Sequence, residues 1–332
     1  MILAGDIGGT HTRLAFLQER GGGLTAVAEE TFPSREHASL EAVLQKFIAA
    51  HSFPITCACF GIAGPVGHGR CDATNLPWVV DSSLVARELG LKSVGLINDL
   101  EANAWGVAVL ETKDFVVLNE GAPGASGNAA IISAGTGLGE AGLYWDGKRH
   151  RPFATEGGHT DFAPRNRLEV ELLEYLLKQF QRVSYERIVS GPGLLNIYRF
   201  LRDGGRSEEP PWLAEQMRQA EPGAVISQAA LSGRSELCTQ ALDLFVSLYG
   251  AEAGNLALKV MATGGVFLGG GIAPKIIQRL KDPVFLNAFT AKGRMKPLLQ
   301  AMPVRVILND QTALLGAARF ATLCASEPSP LS

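Results

Sequence analysis

The sequence lacks the features that would place the protein in a membrane or on a nucleic acid. No apolar run approaches the roughly 18 residues of a membrane-spanning helix. The 30 Lys and Arg residues nearly balance the 33 Asp and Glu residues, and no basic stripe is visible. The amino-terminal segment has neither the basic region nor the continuous apolar region of a signal peptide. We therefore expect partners other than membranes and nucleic acids.

Cysteine is also scarce, and the five residues are Cys57, Cys59, Cys71, Cys238 and Cys324. An odd and scattered set favours reduced thiols and a cytoplasmic location. A metal site formed by the first three cysteines is the alternative. Cys57 and Cys59 lie two residues apart in a strand-like segment, so both face one side, which favours buried core thiols over metal ligands.

Glycine, by contrast, is abundant, with 38 of 332 residues, or about 11% against an average of roughly 7%. The hydrophobic fraction of 46% excludes a disordered chain, and the glycines lack the three-residue period of collagen. The length predicts about two domains. The surplus glycine is therefore predicted in turns of a globular fold, where backbone can approach a ligand closely.

A strand, a glycine turn and a returning strand occur twice. The first set runs from residue 2 to 17 around Gly5-Asp6-Ile7-Gly8-Gly9-Thr10, and the second from 129 to 145 around Gly135-Thr136-Gly137. Strands alternate with helices elsewhere, which indicates α/β layers, and the hairpins indicate mixed sheets. Two domains that each open on such a hairpin would explain this internal repeat.

Two further segments give specific helix predictions. Residues 235–261 predict a long Ala-rich helix that breaks near Gly250 and Gly254. Its small residues would permit close packing against another helix, within the chain or in a second copy, so a homodimer is one alternative. Pro274 is predicted to begin another helix just after the turn Gly269-Gly270-Gly271.

The two glycine turns are candidate phosphate sites, although two common nucleotide motifs are excluded. The P-loop pattern does not occur, and the GxGxxG pattern at 137–142 continues as a strand instead of opening a helix. A hairpin tip without side chains exposes consecutive N–H groups that bind anions. Asp6 would repel phosphate there unless a divalent cation lay between them, which implies Mg²⁺. An ordinary hairpin turn is the alternative for either tip alone.

Seven segments, taken together, resemble the bacterial glucokinase family. They are Gly5-Asp6-Ile7-Gly8-Gly9-Thr10, Ile97-Asn98-Asp99, Gly135-Thr136-Gly137-Leu138-Gly139, Glu156-Gly157-Gly158-His159, Asp161-Phe162-Ala163-Pro164, Glu186-Arg187-Ile188-Val189-Ser190-Gly191-Pro192-Gly193 and Gly269-Gly270-Gly271-Ile272. They occur in order over nearly the whole chain, and the set is highly specific.

The resemblance implies an α/β fold, the two-domain actin-like ATPase (ribonuclease H-like) fold of sugar kinases. Mixed sheets flanked by helices would form its domains, with an interdomain cleft for ATP and glucose. We expect a small α/β domain of residues 1–110 plus 311–325, a large α/β domain of residues 111–310, and a disordered tail at 326–332.

The resemblance also implies an enzyme, an ATP-dependent hexose kinase that transfers the γ-phosphoryl group of MgATP to the 6-hydroxyl of D-glucose. The cofactors are then ATP and Mg²⁺, and Asp6 would hold the metal through water. The nucleotide-binding residues so implied are Gly5, Asp6, Ile7, Gly8, Gly9, Thr10, Thr136, Gly137, Gly270 and Gly271.

Asp99 is the candidate catalytic base. It follows a predicted strand and precedes a helix, where a carboxylate can accept the proton of an attacking sugar hydroxyl. An ordinary acid at a helix N-terminus explains the residue equally well until the resemblance is added. The resemblance also implies a set of sugar-binding residues, which are Asn75, Asn98, Asp99, Glu156, His159 and Glu186. For Asn75, a turn before Leu-Pro is an equal alternative.

Two departures and one alternative function remain open. His11 stands where the family usually has Asn, and it would change nucleotide affinity or its pH dependence only if it contacts phosphate. No cysteine lies between Cys71 and Cys238, so the structural zinc of related sugar kinases is not expected. Another hexose or N-acetylhexosamine kinase of the same fold is the alternative, because these motifs decide neither the sugar nor the phosphoryl donor.

Overall fold

A computed structural model describes residues 1–21 and 23–326 of the chain. Its strands are β1 (Ile2–Ile7), β2 (His11–Arg20), β3 (Gly23–Pro33), β4 (Cys57–Ile62), β5 (Val66–Gly67), β6 (Arg70–Asp72), β7 (Val79–Asp81), β8 (Gly95–Asn98), β9 (Phe115–Asn119), β10 (Ala129–Ala134), β11 (Leu138–Trp145), β12 (His150–Ala154), β13 (Gly265–Gly269) and β14 (Val304–Ile307).

Its α-helices are α1 (Leu40–His51), α2 (Ser82–Leu89), α3 (Asp99–Val107), α4 (Arg167–Leu177), α5 (Gly191–Asp203), α6 (Pro211–Gln219), α7 (Pro222–Leu231), α8 (Glu236–Val260), α9 (Ile277–Leu280), α10 (Pro283–Thr290), α11 (Lys296–Gln300) and α12 (Thr312–Ser326). Within the described residues, no helix has both the length and the apolar content to cross a bilayer.

The chain divides into two compact units. The first contains residues 1–112 and 151–154 together with the segment that begins at Asn309, and the second contains residues 113–150 and 155–308. Of the tail expected at 326–332, Ser326 belongs to α12, and residues 327–332 lie outside the described part of the chain.

The first unit is built on a mixed sheet in the order β3-β2-β1-β4-β8. Strand β1 pairs antiparallel with β2 and parallel with β4, which pairs parallel with β8. Because side chains alternate along a strand, Leu3 and Ile7 pack with Phe47 of α1, whereas Ile2 and Ala4 pack on the opposite face with α12. Burial on both faces explains why β1 is almost continuously apolar.

The second unit repeats this arrangement. Strand β10 pairs antiparallel with β11 and parallel with β13, which pairs parallel with β14. The order β11-β10-β13-β14 therefore matches β2-β1-β4-β8, and the predicted structural repeat and the mixed sheets are confirmed. Its core lies between this sheet and the helices that surround α8, with Tyr249 and Phe285 among its fully buried side chains.

The predicted start of the first turn at Gly5 is wrong. Strand β1 continues through Ile7, and the turn consists of residues 8–10. A Cβ at Gly5 would lie 2.5 Å from Cδ1 of Phe60 and 2.9 Å from Cδ2 of Leu14. Gly5 is thus required by close packing within the sheet and not by a turn.

The predicted break in the long helix is also wrong, because α8 is continuous over 25 residues. A Cβ at Gly250 or Gly254 would overlap or crowd the carbonyl oxygens of Phe285 and Phe289 on α10. These glycines permit close helix packing inside the second unit, which was one of the two uses expected for them. At Pro274 the chain forms only a 3₁₀ turn and the four-residue α9.

Candidate active site

The first glycine turn, residues 8–10, is held in place by hydrogen bonds on both sides. The N–H of Gly8 donates to the carbonyl of His11 at 2.9 Å, and the N–H of Ser34 donates to the carbonyl of Thr10 at 2.9 Å. The hydroxyl of Ser34 donates to the carbonyl of Gly8 at 2.8 Å and lies 2.9 Å from the hydroxyl of Thr12. The turn is therefore preorganised, as an anion-binding backbone has to be.

Asn75 lies directly against this turn. It follows β6, and a Cβ at Gly9 would lie only 2.5 Å from the Cβ of Asn75. The structure thus brings together two predicted site residues that are 66 positions apart in the sequence. The Asn75 side chain is exposed, so its predicted contact with sugar remains a prediction.

Asp6 and Asp99 lie at the same edge of the first sheet. In the parallel register, Ile7 pairs with Ile62 and Ile62 pairs with Asn98, so β1 and β8 end at the same level. Between them, Gly61 of β4 has no side chain, and a Cβ there would lie only 2.8 Å from the Cβ of Ala102 on α3. The missing side chain allows α3 to pack closely against β4.

The negative charges of Asp6 and Asp99 repel each other at this edge of the sheet. Burial and the neighbouring carboxylate of Asp99 raise the pKa of Asp6 from 3.8 to about 6, while Arg13 acts in the opposite direction. Arg13 also contacts Glu29 at 3.6 Å and Asp310 at 3.2 Å, so its positive charge is shared. An additional cation would relieve the repulsion between Asp6 and Asp99.

These residues fit Mg²⁺ better than a metal with an all-protein cage. Within the described ranges, no group of three or more His, Cys, Asp or Glu residues could hold a metal. Mg²⁺ usually keeps several waters and is bound by one or two carboxylates plus substrate phosphates. One half-buried carboxylate beside a glycine turn matches that requirement.

Asn98 and Asp99 begin α3. The side-chain oxygen of Asn98 accepts from the N–H groups of Leu100 at 2.9 Å and Glu101 at 3.3 Å, and its amide nitrogen donates to the carbonyl of Gly64 at 3.0 Å. Asn98 is therefore an N-cap. A sugar hydroxyl that binds Asn98 would have to share the side-chain oxygen and nitrogen with these backbone groups. The sequence alone does not reveal this competition.

Asp99 has the position that the strand-then-helix pattern predicted. It is the first residue of α3 and is half-buried, and its Oδ1 accepts from the N–H of Leu100 at 2.9 Å. This bond fixes one carboxylate oxygen at the helix N-terminus, where negative charge is stabilised. The catalytic role of Asp99 remains a prediction.

The second glycine turn, residues 135–137, is held by Glu186. The N–H of Gly135 donates to the carbonyl of Gly137 at 2.9 Å, and Oε2 of Glu186 accepts from the N–H of Leu138 at 3.1 Å. A Cβ at Gly137 would lie 2.6 Å from the same oxygen. Glu186, which the resemblance alone selected, therefore lies against a turn that the glycine pattern selected independently. Thr136 is exposed at the tip of this turn.

His159 lies beside Glu186. Its Nδ1 is 4.0 Å from Oε1 of Glu186, and its side chain is 54% exposed. The guanidinium of Arg182 donates to the His159 carbonyl at 2.6 Å and to Asp161 at 2.8 Å, which fixes the backbone at this point. Glu156 begins the same 3₁₀ turn, with its carbonyl accepting from the N–H of His159 at 3.0 Å.

The glycines between Glu156 and His159 are required by their surroundings. A Cβ at Gly157 would overlap the carboxyl group of Glu140, and a Cβ at Gly158 would overlap the carbonyl of Leu138. The turn therefore lies directly on β11. The glycine surplus predicts positions where backbone approaches a ligand, but at Gly157 and Gly158 the close approach of the protein's own strand already demands glycine.

Gly270 and Gly271 follow β13 at the end of the second sheet. Gly270 has a φ of +80°, and a Cβ there would overlap the carbonyl of Ala134, the last residue of β10. The N–H of Ile272 donates to the same carbonyl at 3.2 Å. Both glycines are exposed next to the 135–137 turn, so this part of the predicted nucleotide site is brought together.

Comparison with known proteins identifies the family of this chain. The family model described as Glucokinase matches residues 3–323. The chain is 44% identical to a glucokinase of Nostoc sp., an alignment that covers 98% of this chain and 99% of the relative. The chain belongs to the glucokinase family.

Solved structures of glucokinases have the same fold. The crystal structure of glucokinase from an Antarctic psychrotroph has a TM-score of 0.84 and 30% identity, covering 97% of this chain and 98% of that one. A Balamuthia mandrillaris glucokinase, solved in complex with glucose, has a TM-score of 0.78 and 22% identity over 97% and 93% of the two chains. The fold is thus the actin-like ATPase fold of the glucokinase family, as predicted.

Three residues that support the site had no signal in the sequence. Ser34 anchors the first turn, Gly61 makes room for α3, and Glu140 supports Gly157. Each acts across strands that are distant in the sequence, so no local spacing could select it. For Ser34, only its position next to Pro33, at the end of β3, marks a chain turn.

Proposed function

We propose that this member of the glucokinase family transfers the γ-phosphoryl group of MgATP to the 6-hydroxyl of D-glucose, giving glucose 6-phosphate and ADP. The observation that carries the proposal is the pairing of each preorganised glycine turn with acidic side chains, Asp6 and Asp99 at the first turn and Glu186 at the second. Family membership over nearly the full chain supports it.

The sugar would be held by Glu156, His159 and Glu186. A hexose presents adjacent hydroxyls that both donate and accept hydrogen bonds, and carboxylates and an imidazole can pair them. The side chains of His159 and Glu186 are 54% and 28% exposed, which leaves both accessible to a ligand. Asn75, Asn98 and Asp99 complete the proposed set.

The phosphates would bind to the backbone of both glycine turns and to the hydroxyls of Thr10 and Thr136. Mg²⁺, when bound, neutralises negative charge on the β- and γ-phosphates. Asp6 would hold it through water, since one carboxylate with like-charged surroundings attracts a strongly hydrated cation. The backbone of Gly270 and Gly271 would contact the nucleoside.

Asp99 would accept the proton of the 6-hydroxyl. As the new bond forms between the sugar oxygen and phosphorus, the bond from phosphorus to the ADP oxygen breaks, and the proton moves to the carboxylate. A carboxylate is a weak base toward an alcohol, so Asp99 acts mainly by orienting the hydroxyl and accepting the proton late. Its bond to the Leu100 N–H fixes that orientation.

The test is Asp99→Asn, compared with Asp81→Asn. Both residues lie where a strand gives way to a helix, and Asp81 is the N-cap of α2, a position that Asn fills equally well. We expect D99N to lose at least about 100-fold in kcat, the usual range for a positioned base, with the Kd for glucose changed little. D81N should keep the rate of the unmodified protein.

A coupled assay measures kcat, and calorimetry measures glucose binding. Near-normal turnover by D99N would overturn the role of Asp99, and absence of turnover by the unmodified protein with MgATP and glucose would overturn the proposed function. The same assay with mannose, fructose and N-acetylglucosamine defines the sugar. We also propose a cytoplasmic location, supported by Cys57, Cys59, Cys71 and Cys238, which form no disulfide bond.

A further inference from the structure

Glu140 is a buried acid that the proposed reaction does not use. It lies on β11 with 1% of its surface exposed, and its carboxyl group occupies the space that a side chain at Gly157 would need. Its carbonyl accepts from the hydroxyl of Thr155 at 2.7 Å, and that hydroxyl accepts from the N–H of Gly157 at 3.2 Å. Glu140 thus contacts the 156–159 turn directly through its side chain, and its carbonyl is linked to the turn through the hydroxyl of Thr155.

A second buried acid, Glu252 of α8, faces Glu140. Glu252 is fully buried, and its Oε2 accepts from the amide of Asn255 at 2.7 Å, while Oε1 lies 3.4 Å from the ammonium of Lys259. Glu140 adds a second carboxyl group to this cluster, and Lys259 is the positive charge that acts on it. Two buried carboxylates so close cannot both ionise at low cost.

Three other titratable groups lie around the pair, and none of them adds a positive charge that acts on Glu140. Tyr185, which precedes Glu186, bonds to Asn255 at 3.1 Å, and burial with the charge of Glu252 raises the pKa of its hydroxyl. Lys292 donates to Asn255 and its charge acts on Glu252, while burial and the charge of Arg165 lower the pKa of its ammonium to about 8. Tyr249 also faces Glu140 and stays neutral.

A shared proton resolves the conflict. Burial, and next the charge of Glu252, raise the pKa of Glu140 from 4.5 to about 8, and Lys259 opposes this shift. Oε1 of Glu140 is buried and has no partner among the described residues. A proton on Glu140 gives it a donor toward Glu252 and removes the second negative charge from the cluster.

We propose that Glu140 is a positioning residue for the sugar-binding turn at 156–159: its protonated carboxyl, hydrogen-bonded to Glu252, supports Gly157, and loss of that proton weakens glucose binding. This inference rests on the proposed function of that turn. Ionised Glu140 places a second negative charge in a dry cluster, and the turn that packs on it must move to admit water.

The experiment measures the Kd for glucose by calorimetry between about pH 6.5 and pH 9.5, together with KM and kcat. If only the protonated form binds well, the Kd rises about tenfold from pH 7 to pH 9. Glu140→Gln keeps the shape and a donor toward Glu252 but cannot ionise. E140Q should therefore bind glucose normally near pH 7, and its Kd for glucose should not rise at alkaline pH. We call the rise in the unmodified protein the alkaline rise.

Two further variants shift the rise in opposite directions. Glu252→Gln removes the neighbouring negative charge, so Glu140 loses its proton more easily and the rise moves to lower pH. Lys259→Met removes the positive charge that favours ionisation, so the rise moves to higher pH. Opposite shifts from two neighbouring substitutions cannot come from a loss of packing alone.

Glu169→Gln is the matched control, because Glu169 is equally buried but is paired with Arg165. It should leave the position of the alkaline rise unchanged. An alkaline rise that persists in E140Q would overturn the inference while leaving the proposed function intact. Failure of the unmodified protein to bind glucose at pH 7 would instead overturn the proposed function, and the role of the turn with it.

Discussion

The two glycine hairpins have the same strand arrangement but place their acids at different depths. At the β1–β2 hairpin, Asp6 is half-buried at the end of its strand and faces Asp99. At the β10–β11 hairpin, Glu140 is buried within its strand and faces Glu252. Burial and a like charge raise the pKa of both acids, to about 6 for Asp6 and to about 8 for Glu140.

We propose that this difference in depth separates two uses of a carboxyl pair on one scaffold. An accessible pair can exchange its proton for a hydrated cation, because water and phosphate complete the coordination. A buried pair is shielded from water, so it would retain the proton instead. Depth would then decide between binding a ligand and supporting a turn.

The largest expected effect tests the buried pair through stability. The folded chain holds a proton on Glu140 up to about pH 8, whereas the unfolded chain releases it near pH 4.5. Because the unfolded state then binds fewer protons, the free energy of unfolding falls as pH rises between these values. From about pH 5 to pH 7, the unmodified protein should lose on the order of 3 kcal/mol more than E140Q.

Urea denaturation at a series of pH values measures this loss. Asp6→Asn provides the comparison at the accessible pair, where the shift in pKa is smaller and the expected difference is smaller too. If the unmodified protein and E140Q lose stability in parallel as pH rises, the conclusion that folded Glu140 retains its proton is wrong.

The next effect comes from Gly157→Ala, which fills the space occupied by the Glu140 carboxyl. Overpacking of this kind typically costs about 1–3 kcal/mol, and the 156–159 turn should carry most of the displacement. We expect the KM for glucose to rise roughly 30-fold, with a much smaller change in the KM for ATP. Steady-state kinetics with each substrate varied measure both.

Gly67→Ala is the control for this substitution, since a Cβ at Gly67 meets nothing within 4 Å. It should leave both KM values unchanged. An equal loss of affinity for ATP and glucose in G157A would contradict a local effect on the turn and indicate general damage to the second unit.

Part of this comparison was predictable from the sequence. Alternating strands and glycine turns predicted both hairpins, and Asp99 was correctly placed between a strand and a helix. These features are local, because a strand, a turn or a helix start depends on residues within a few positions. The predicted boundary of the first turn is wrong at Gly5, because the position requires glycine for close contact with Phe60 of another strand.

The buried pair was not predictable, because its members are 112 positions apart and each has an ordinary local setting. Glu140 follows a glycine motif, and Glu252 lies in an Ala-rich helix. Only the packing of α8 against the second sheet brings them together. Asn98 illustrates the same limit, since its capping bonds and its bond to Gly64 appear only in the folded chain.

A moderate effect tests the accessible pair through Mg²⁺. When a cation and a proton compete for Asp6, affinity for MgATP should fall below about pH 6, where the Asp6 carboxylate gains its proton. A tenfold higher Mg²⁺ concentration should move this fall to lower pH by up to about one unit. Calorimetric titration with MgATP measures the shift.

D6N should lose both the acid fall and its dependence on Mg²⁺. In D99N the affinity for MgATP should still depend on Mg²⁺ in this way, but it should fall at a lower pH. The reason is that the neighbouring negative charge that raises the pKa of Asp6 is gone. A fall that stays at the same pH at every Mg²⁺ concentration would mean that Asp6 does not hold the metal.

The smallest effect concerns the residue that follows each turn. Leu138 after the second turn is buried, whereas His11 after the first turn is exposed. A contact between an exposed side chain and phosphate contributes roughly 0.2–1 kcal/mol. If His11 contacts the nucleotide, His11→Asn should therefore change the KM for ATP by about two- to fivefold, with the KM for glucose unchanged. Equal KM values for ATP in the two proteins would show that His11 makes no contact with the nucleotide, and the first turn would then bind phosphate through its backbone and Thr10 alone.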